Sequence, residues 1–550
     1  MTAKVLMVQG TSSDVGKSLM VAALCRIYAR RGWRVAPFKS QNMALNSAVT
    51  PEGFEIGRAQ AVQAAAAGIR PSVLMNPILL KPQSETGCQV VLNGKVAATM
   101  SAGDYHSHKP KLRDAIATSL AALREDNDLV IIEGAGSPVE MNLKAHDIAN
   151  MFVAELCDAP VLIVADIDRG GVFASLVGTM ALLEGTEHAR VRGFLINKFR
   201  GDPALLGDSA DFIKAKTGVP VLGVVPHLRN LQIADEDSVA LASRSTRFAS
   251  GDSRAKVAVI RFPHISNYDD LLPLEREPGL DVAFVRDAQS ISEAVLLVLP
   301  GSKCSSEDLL WLRSLGLDLA IIERAKAAAP ILGICGGCQM LGARIDDPSG
   351  IESSHPSIAG LGLLSLVTTY KAEKTTAEVR ARSTENELWQ ADGPLEGYEI
   401  HMGVLASDHA AGADALNASE VTRDGSASAA STGLRPAMHI VQRNGAQAKV
   451  PDGGVSENGL VVGTMIHGIL DNDELRHSLL RRLGVTPNEA SSQESEFDRL
   501  ADAVAAHVDM AALDRIIGIP QSDDTSSAPF SSARMTRSTD DGSLPGKDTP

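Results

Sequence analysis

Two short stretches carry residue types and spacings that can do chemistry. The first is APILGICGGCQMLG, from Ala329 to Gly342. Its apolar run, Pro330 to Ile334, reads as a buried strand entering a glycine-rich turn and then a helix, with Cys335 at the bend. A thiol held there lies beside backbone N–H groups that stabilise a thiolate and an oxyanion. Such a nucleophile needs a base. His467, in LVVGTMIHGILDN (460–472), stands at the end of another apolar strand and is the best partner, with His401 as its main rival among the 13 histidines. The position two residues beyond the histidine, where an orienting acid would stand, is Ile469, and Glu399 is one candidate replacement. The C-x-x-C spacing of Cys335 and Cys338 also suits a redox pair or half a zinc site. Gln339 and the distant GTMIHG favour acyl transfer and leave Cys338 structural.

The second stretch is GTSSDVGKS, from Gly10 to Ser18, between an apolar strand (4–9) and an Ala/Leu-rich helical pattern (19–31). Strand, glycine loop and helix in that order cradle phosphates on backbone N–H groups. Gly10, Thr11, Asp14 and Gly16 belong to the loop, Lys17 adds a charge near the β/γ oxygens, and the Ser18 hydroxyl can ligate Mg²⁺. Five residues separate Gly10 from Gly16, where the common form has four. Further strands end near the same crevice. Lys39 closes RVAPFK and faces the ligand side. Glu133 closes DLVIIE, the place for a residue that directs Mg²⁺ or water, with Glu140 and Asp147 as weaker candidates. Asn197, at the tip of GFLINK, is a candidate reader of an adenine edge. Gln41, Asn42 and Asn46 offer hydrogen-bond partners there, or a solvated loop.

The elements that must position these residues alternate between strand and helix. From residue 4 to 227 the pattern predicts a mostly parallel sheet covered on both faces. Residues 55–68 and 111–125 read as helices. A Ser/Arg/Asp-rich stretch then marks a linker, and a second α/β unit begins at KVAVIRF. ISNYDD (265–270) reads as a polar loop, and LPGSK (299–303) as a strand end whose N–H groups can form an oxyanion hole. The expected division is 1–234, linker 235–255, 256–484, a helical segment 485–520, and a disordered tail 521–550. A chain of 550 residues is too long for one core. Net charge of −15 without a basic block argues against a nucleic-acid partner. The absence of a signal layout or a membrane-length apolar run, with six scattered cysteines, points to a cytoplasmic protein with reduced thiols.

GICGGCQ with the later HG resembles class I glutamine amidotransferase domains, and GTSSDVGKS resembles dethiobiotin-synthetase-like ATPases. The pairing resembles the cobyrinic acid amidating enzymes, whose fused amidotransferase also lacks the acid after the histidine. FKSQNMALNS, EIGRAQA, NPILLKP, EGAGSPVEMNL, DIDRGGVFASL, INKFRGD, ISNYDD, LPGSK and GYEIHMG carry this likeness to about residue 475. The resemblance implies a P-loop NTPase-like sheet joined to a class I amidotransferase α/β domain. It implies Cys335 as nucleophile and His467 as second catalytic residue, with ATP, Mg²⁺ and glutamine as reactants. The implied reaction is amidation of the b, d, e and g carboxylates of adenosylcobyrinic acid a,c-diamide, a corrinoid. A related member that makes the a,c-diamide is the alternative, and a ParA/MinD-like ATPase switch is the reading from another class.

Overall fold

The computed structural model describes residues 2–520 except 83–86, 229–230, 235–243, 252, 409–434 and 489–492. The expected disordered tail lies outside the described residues, as does part of the linker. The N-terminal half is built on a six-stranded, wholly parallel sheet. Its spatial order is Val221–Pro226, Val191–Phe199, Val161–Asp166, Lys4–Gly10, Leu129–Glu133, Val35–Phe38. Strands such as VLIVAD and LVIIE are buried at every position because helices cover both faces. Helix α1 (Lys17–Arg30) packs Met20, Val21, Leu24, Ile27 and Tyr28 on one face of this sheet.

Two expectations change and one open alternative is decided. Residues 55–68 are not all helix: Glu55–Gly57 is a short strand paired with Ser47–Val49, and helix α2 runs from Arg58 to Ala66. Tertiary pairing overrides local propensity there, because Glu55 is buried between Lys81 and Lys374. The polar run after Lys39 is not a solvated loop, since Asn42, Asn46 and Ser47 are all buried. Residues 485–520, expected as a separate segment, contribute two helices, α4 (Gln493–His507) and α5 (Met510–Ile517), to the N-terminal core. Phe497, Leu500, Val504, Leu513 and Ile517 are buried with α1. Arg26–Asp498 at 2.9 Å and Arg30–Asp502 at 2.6 Å border that contact.

The second half has a parallel core sheet in the order Leu280–Val285, Ala255–Ile260, Leu296–Leu299, Ile331–Ile334, Val461–Thr464, edged by the antiparallel pair Gly454–Val455. Helix α3 (Gly336–Leu341) leaves the fourth of these strands. Beside it lies a mostly antiparallel sheet led by two long partners, Leu366–Ser383 and Leu395–Ser407. This second sheet presents Tyr398 towards the core sheet, where it pairs with His467, and towards the N-terminal half, where it meets Arg58.

Candidate functional site

The phosphate loop is folded onto its neighbours by backbone and amide contacts. Thr11 N–H donates to Val164 O (3.0 Å), and Asn197 Nδ2 donates to Val15 O (2.8 Å). Asp14 takes a left-handed φ of 59°, and Lys198 Nζ donates to its carbonyl (2.5 Å). Gly16 has φ +99°, and a Cβ there would lie 2.2 Å from Asn197 Nδ2. Gly10 is equally confined, with Val15 Cγ2 2.6 Å from where a Cβ would sit. Both glycines therefore answer a steric demand, which the sequence spacing indicated without showing.

Glu133 is fully buried at the end of its strand and collects three donors. Ser18 Oγ and Lys39 Nζ each donate to Oε1 at 2.8 Å, and Gln63 Nε2 donates to Oε2 at 2.6 Å. Lys17 Nζ donates to the carbonyls of Ser12 (2.9 Å) and Gly136 (3.1 Å), which holds its charge over the loop. A hydroxyl and a carboxylate oxygen in mutual contact at the start of a helix are suitable donors for Mg²⁺. Asn197 lies against the loop, and its amide is spent on Val15 rather than offered outward. Asp147 turns its oxygens to the N–H groups of Ala149, Asn150 and Phe152, and so acts as a local cap. Gln63 was not singled out by the sequence; only its place in EIGRAQAVQ beside the loop pointed to it.

In the second half, Cys335 has φ 49° and ψ −108°, the strained bend expected of a nucleophile turned out of a strand. Its N–H donates to Thr464 O at 2.8 Å. The turn tolerates no side chains. A Cβ on Gly337 would lie 1.9 Å from Leu299 O, and one on Gly336 would lie 2.7 Å from Ser302 N. LPGSK is thereby pressed against the nucleophile turn, as an oxyanion site requires. Gln339 Oε1 accepts from Ser305 Oγ (2.7 Å) and Tyr370 Oη (3.1 Å), closing the pocket floor. Cys338 is fully buried, and burial pushes its thiol well above the ordinary range, which suits packing better than redox exchange.

His467 is 2 % exposed and shares a small cavity with Cys335, Ser302, Lys303 and Tyr370. The acid that orients it is Asp270. His467 Nδ1 lies 2.6 Å from Asp270 Oδ2, and Gly468 N–H donates to Oδ1 at 2.8 Å. Burial alone would lower the imidazole pKa. The Asp270 carboxylate, with smaller help from Cys335, overrides that and pushes it up to about 10. Cys335 and His467 thus face the same small cavity, with the base beside the thiol. Glu399 is not the missing acid: it binds Arg443 (2.7 and 2.8 Å) and lies 3.4 Å from His401. The ISNYDD loop supplies the acid from 197 residues upstream of the histidine. Its position after a core strand was the available signal.

Fold and site define a glutamine amidotransferase domain joined to a nucleotide-binding domain. The CobB/CobQ-like glutamine amidotransferase domain matches residues 256–475, and the CobQ/CobB/MinD/ParA nucleotide binding domain matches residues 6–240. The cobyric acid synthase of Sorangium cellulosum is 52% identical over 94% of this chain and 99% of its own length. That of Moorella thermoacetica is 46% identical over 94% of this chain and 98% of its own, and that of Klebsiella pneumoniae 46% over 94% and 97%. The chain belongs to the cobyric acid synthase family and is a glutamine-dependent, amide-forming ligase. The a,c-diamide and ATPase-switch alternatives give way to this assignment.

Proposed function

We propose that this enzyme amidates the b, d, e and g carboxylates of adenosylcobyrinic acid a,c-diamide, using ATP and glutamine, within the biosynthesis of cobalamin. The observation that carries the nitrogen-donating half is the Asp270–His467 pair beside the strained Cys335. Cys335 as thiolate attacks the glutamine side-chain amide. The N–H of Gly336 and the Ser302 turn face the oxyanion, and His467 gives its proton to the departing nitrogen. Ammonia leaves and a thioester remains for water to cleave. In the other half a carboxylate is a poor electrophile until ATP converts it to an acyl phosphate. Gly10, Thr11, Asp14 and Gly16 shape the cradle, and Lys17 offsets phosphoryl charge. Mg²⁺ bound by Ser18 and Glu133 would screen the phosphate oxygens. Lys39 holds Glu133 in place, while Asn197 keeps the loop against its strand. Functional boundaries follow 1–234 and 256–484, and six free cysteines suit a cytoplasmic setting.

The test compares the wild type with Cys335→Ala, supplied with glutamine or with ammonium. The variant should lose glutamine-driven turnover and keep amidation at high ammonium. Equal glutamine-driven turnover in both would remove Cys335 from the mechanism. The corrinoid that accumulates from the a,c-diamide identifies the acceptor carboxylates.

A further inference from the structure

The glutaminase centre is not closed by its own half of the chain. Tyr398 stacks on the His467 ring, with centroids 5.2 Å apart and planes at 16°. The two residues also exchange backbone hydrogen bonds, Tyr398 N–H to His467 O (3.1 Å) and His467 N–H to Tyr398 O (2.8 Å). Behind this stack stands Arg58, the first residue of α2, from the nucleotide-binding half. Its guanidinium lies 5.1 Å from the Tyr398 ring centroid and donates to the Tyr398 hydroxyl. Arg58 Nη2 also donates to Ser47 O (2.9 Å). Its Nε lies 2.9 Å from Asp269 Oδ2, a charge contact without hydrogen-bond alignment. Asp269 is the residue before the acid that orients His467. Asn267 completes the seam, donating to Ser47 O (3.0 Å) and the Tyr398 hydroxyl (2.9 Å). Helix α2 is anchored at its other end by Gln63 on Glu133.

We propose that Arg58 is a positioning residue for glutamine hydrolysis, supplied by the nucleotide-binding half to hold Asp269, Tyr398 and through them the Asp270–His467 pair. This rests on the amidotransferase reading of Cys335 and His467. A cation at Arg58 does two things a neutral packing residue would not. It neutralises Asp269, which would otherwise put a second buried carboxylate beside Asp270. It also pins the ring that stacks on the imidazole, so the imidazole cannot rotate away from the thiol. Misplacement of a catalytic group by about 1 Å costs on the order of 100-fold in rate. The arrangement makes ammonia release depend on docking of the two halves, so free glutamine is not hydrolysed by a detached amidotransferase.

The full-length chain carries the test, with Arg58→Met, Arg58→Lys and Tyr398→Phe. Two activities are read: glutamate release from glutamine, and ATP-dependent amidation driven by ammonium. Arg58→Met should lower kcat for glutamate release by about 10- to 100-fold, with a smaller change in KM and with ammonium-driven amidation unchanged. Arg58→Lys should recover part of the loss, and Tyr398→Phe should fall between wild type and Arg58→Met. If Arg58→Met fails to fold because Asp269 is left unpaired, the double variant Arg58→Met/Asp269→Asn removes both charges and should show the same split. A parallel fall of both activities, or unaltered glutamate release, overturns the proposal. A wild type that releases glutamate but does not amidate the a,c-diamide would sink the acceptor assignment while leaving the Arg58 comparison intact.

Discussion

At the residue scale, the decisive group is Asp270. The imidazole it orients has its pKa raised from 6.5 to about 10, so the sign of its linkage is that of a cation gaining a partner. The pair contributes fully below about 6.5, and its contribution is lost as pH rises through about 10. Glutamine-driven turnover in the wild type should keep a protonated His467 well into the alkaline range. Asp270→Asn should bring the alkaline limb down towards the ordinary histidine value and lower kcat by about 100- to 10,000-fold, by analogy with loss of the orienting acid in a serine triad. A pH–rate profile of glutamate release checks both, and an unmoved limb would argue that Asp270 is only structural. Cys335, His467 and the phosphate-loop residues were legible because each stands in a local string whose chemistry depends on its neighbours. Asp270 was not, because its partnership with His467 spans the chain and ISNYDD has no local periodicity that points inward.

At the scale of elements, two tight turns and one helix pair are the exposed points. Gly16→Ala must place a Cβ on Asn197 and hold φ near +99°, so strain of about 1–3 kcal/mol falls on the phosphate loop. We expect ATP-dependent amidation to fail with glutamine and with ammonium alike, while glutamate release persists; nucleotide binding by calorimetry reports the cause. At the α1–α4 contact, Leu500→Ala should cost about 2–5 kcal/mol, seen as a lower midpoint in urea unfolding of the N-terminal half. Helix α4 was legible as a helix from its spacing. Its docking site was not, because an amphipathic face states that something covers it and not what.

At the scale of the whole molecule, the halves meet through buried charge. Glu55 binds Lys81 (2.7 Å) and Lys374 (2.5 Å), the latter from the amidotransferase half. Burial would raise the Glu55 carboxyl, but Lys374 and Lys81 override it and hold it well below the usual range. Its stabilising contribution is therefore present above about 4.5 and is lost progressively as pH falls below that. Burial lowers Lys81 to about 8, with Glu55 opposing the fall. Glu55→Gln leaves two lysines without their carboxylate and should destabilise the docked form by about 3–5 kcal/mol. Limited proteolysis between the halves should then quicken. Among the described residues, no helix is long and apolar enough to cross a membrane.

The alternation of apolar strands with helices, the phosphate loop and the cysteine bend are local in sequence, and the chain by itself determined them. Short-range sterics and periodicity suffice for a glycine loop before a helix or a strand buried on both faces. Tertiary structure alone decided which acid serves His467, which core receives α4 and α5, and that Arg58 stands behind Tyr398. Each of these joins residues separated by 197 to 486 positions, as in Asp270–His467, Arg58–Tyr398 at 340, and Tyr28–Asp514. Their partners are chosen by burial and charge neutralisation in the folded chain, for which no spacing rule exists.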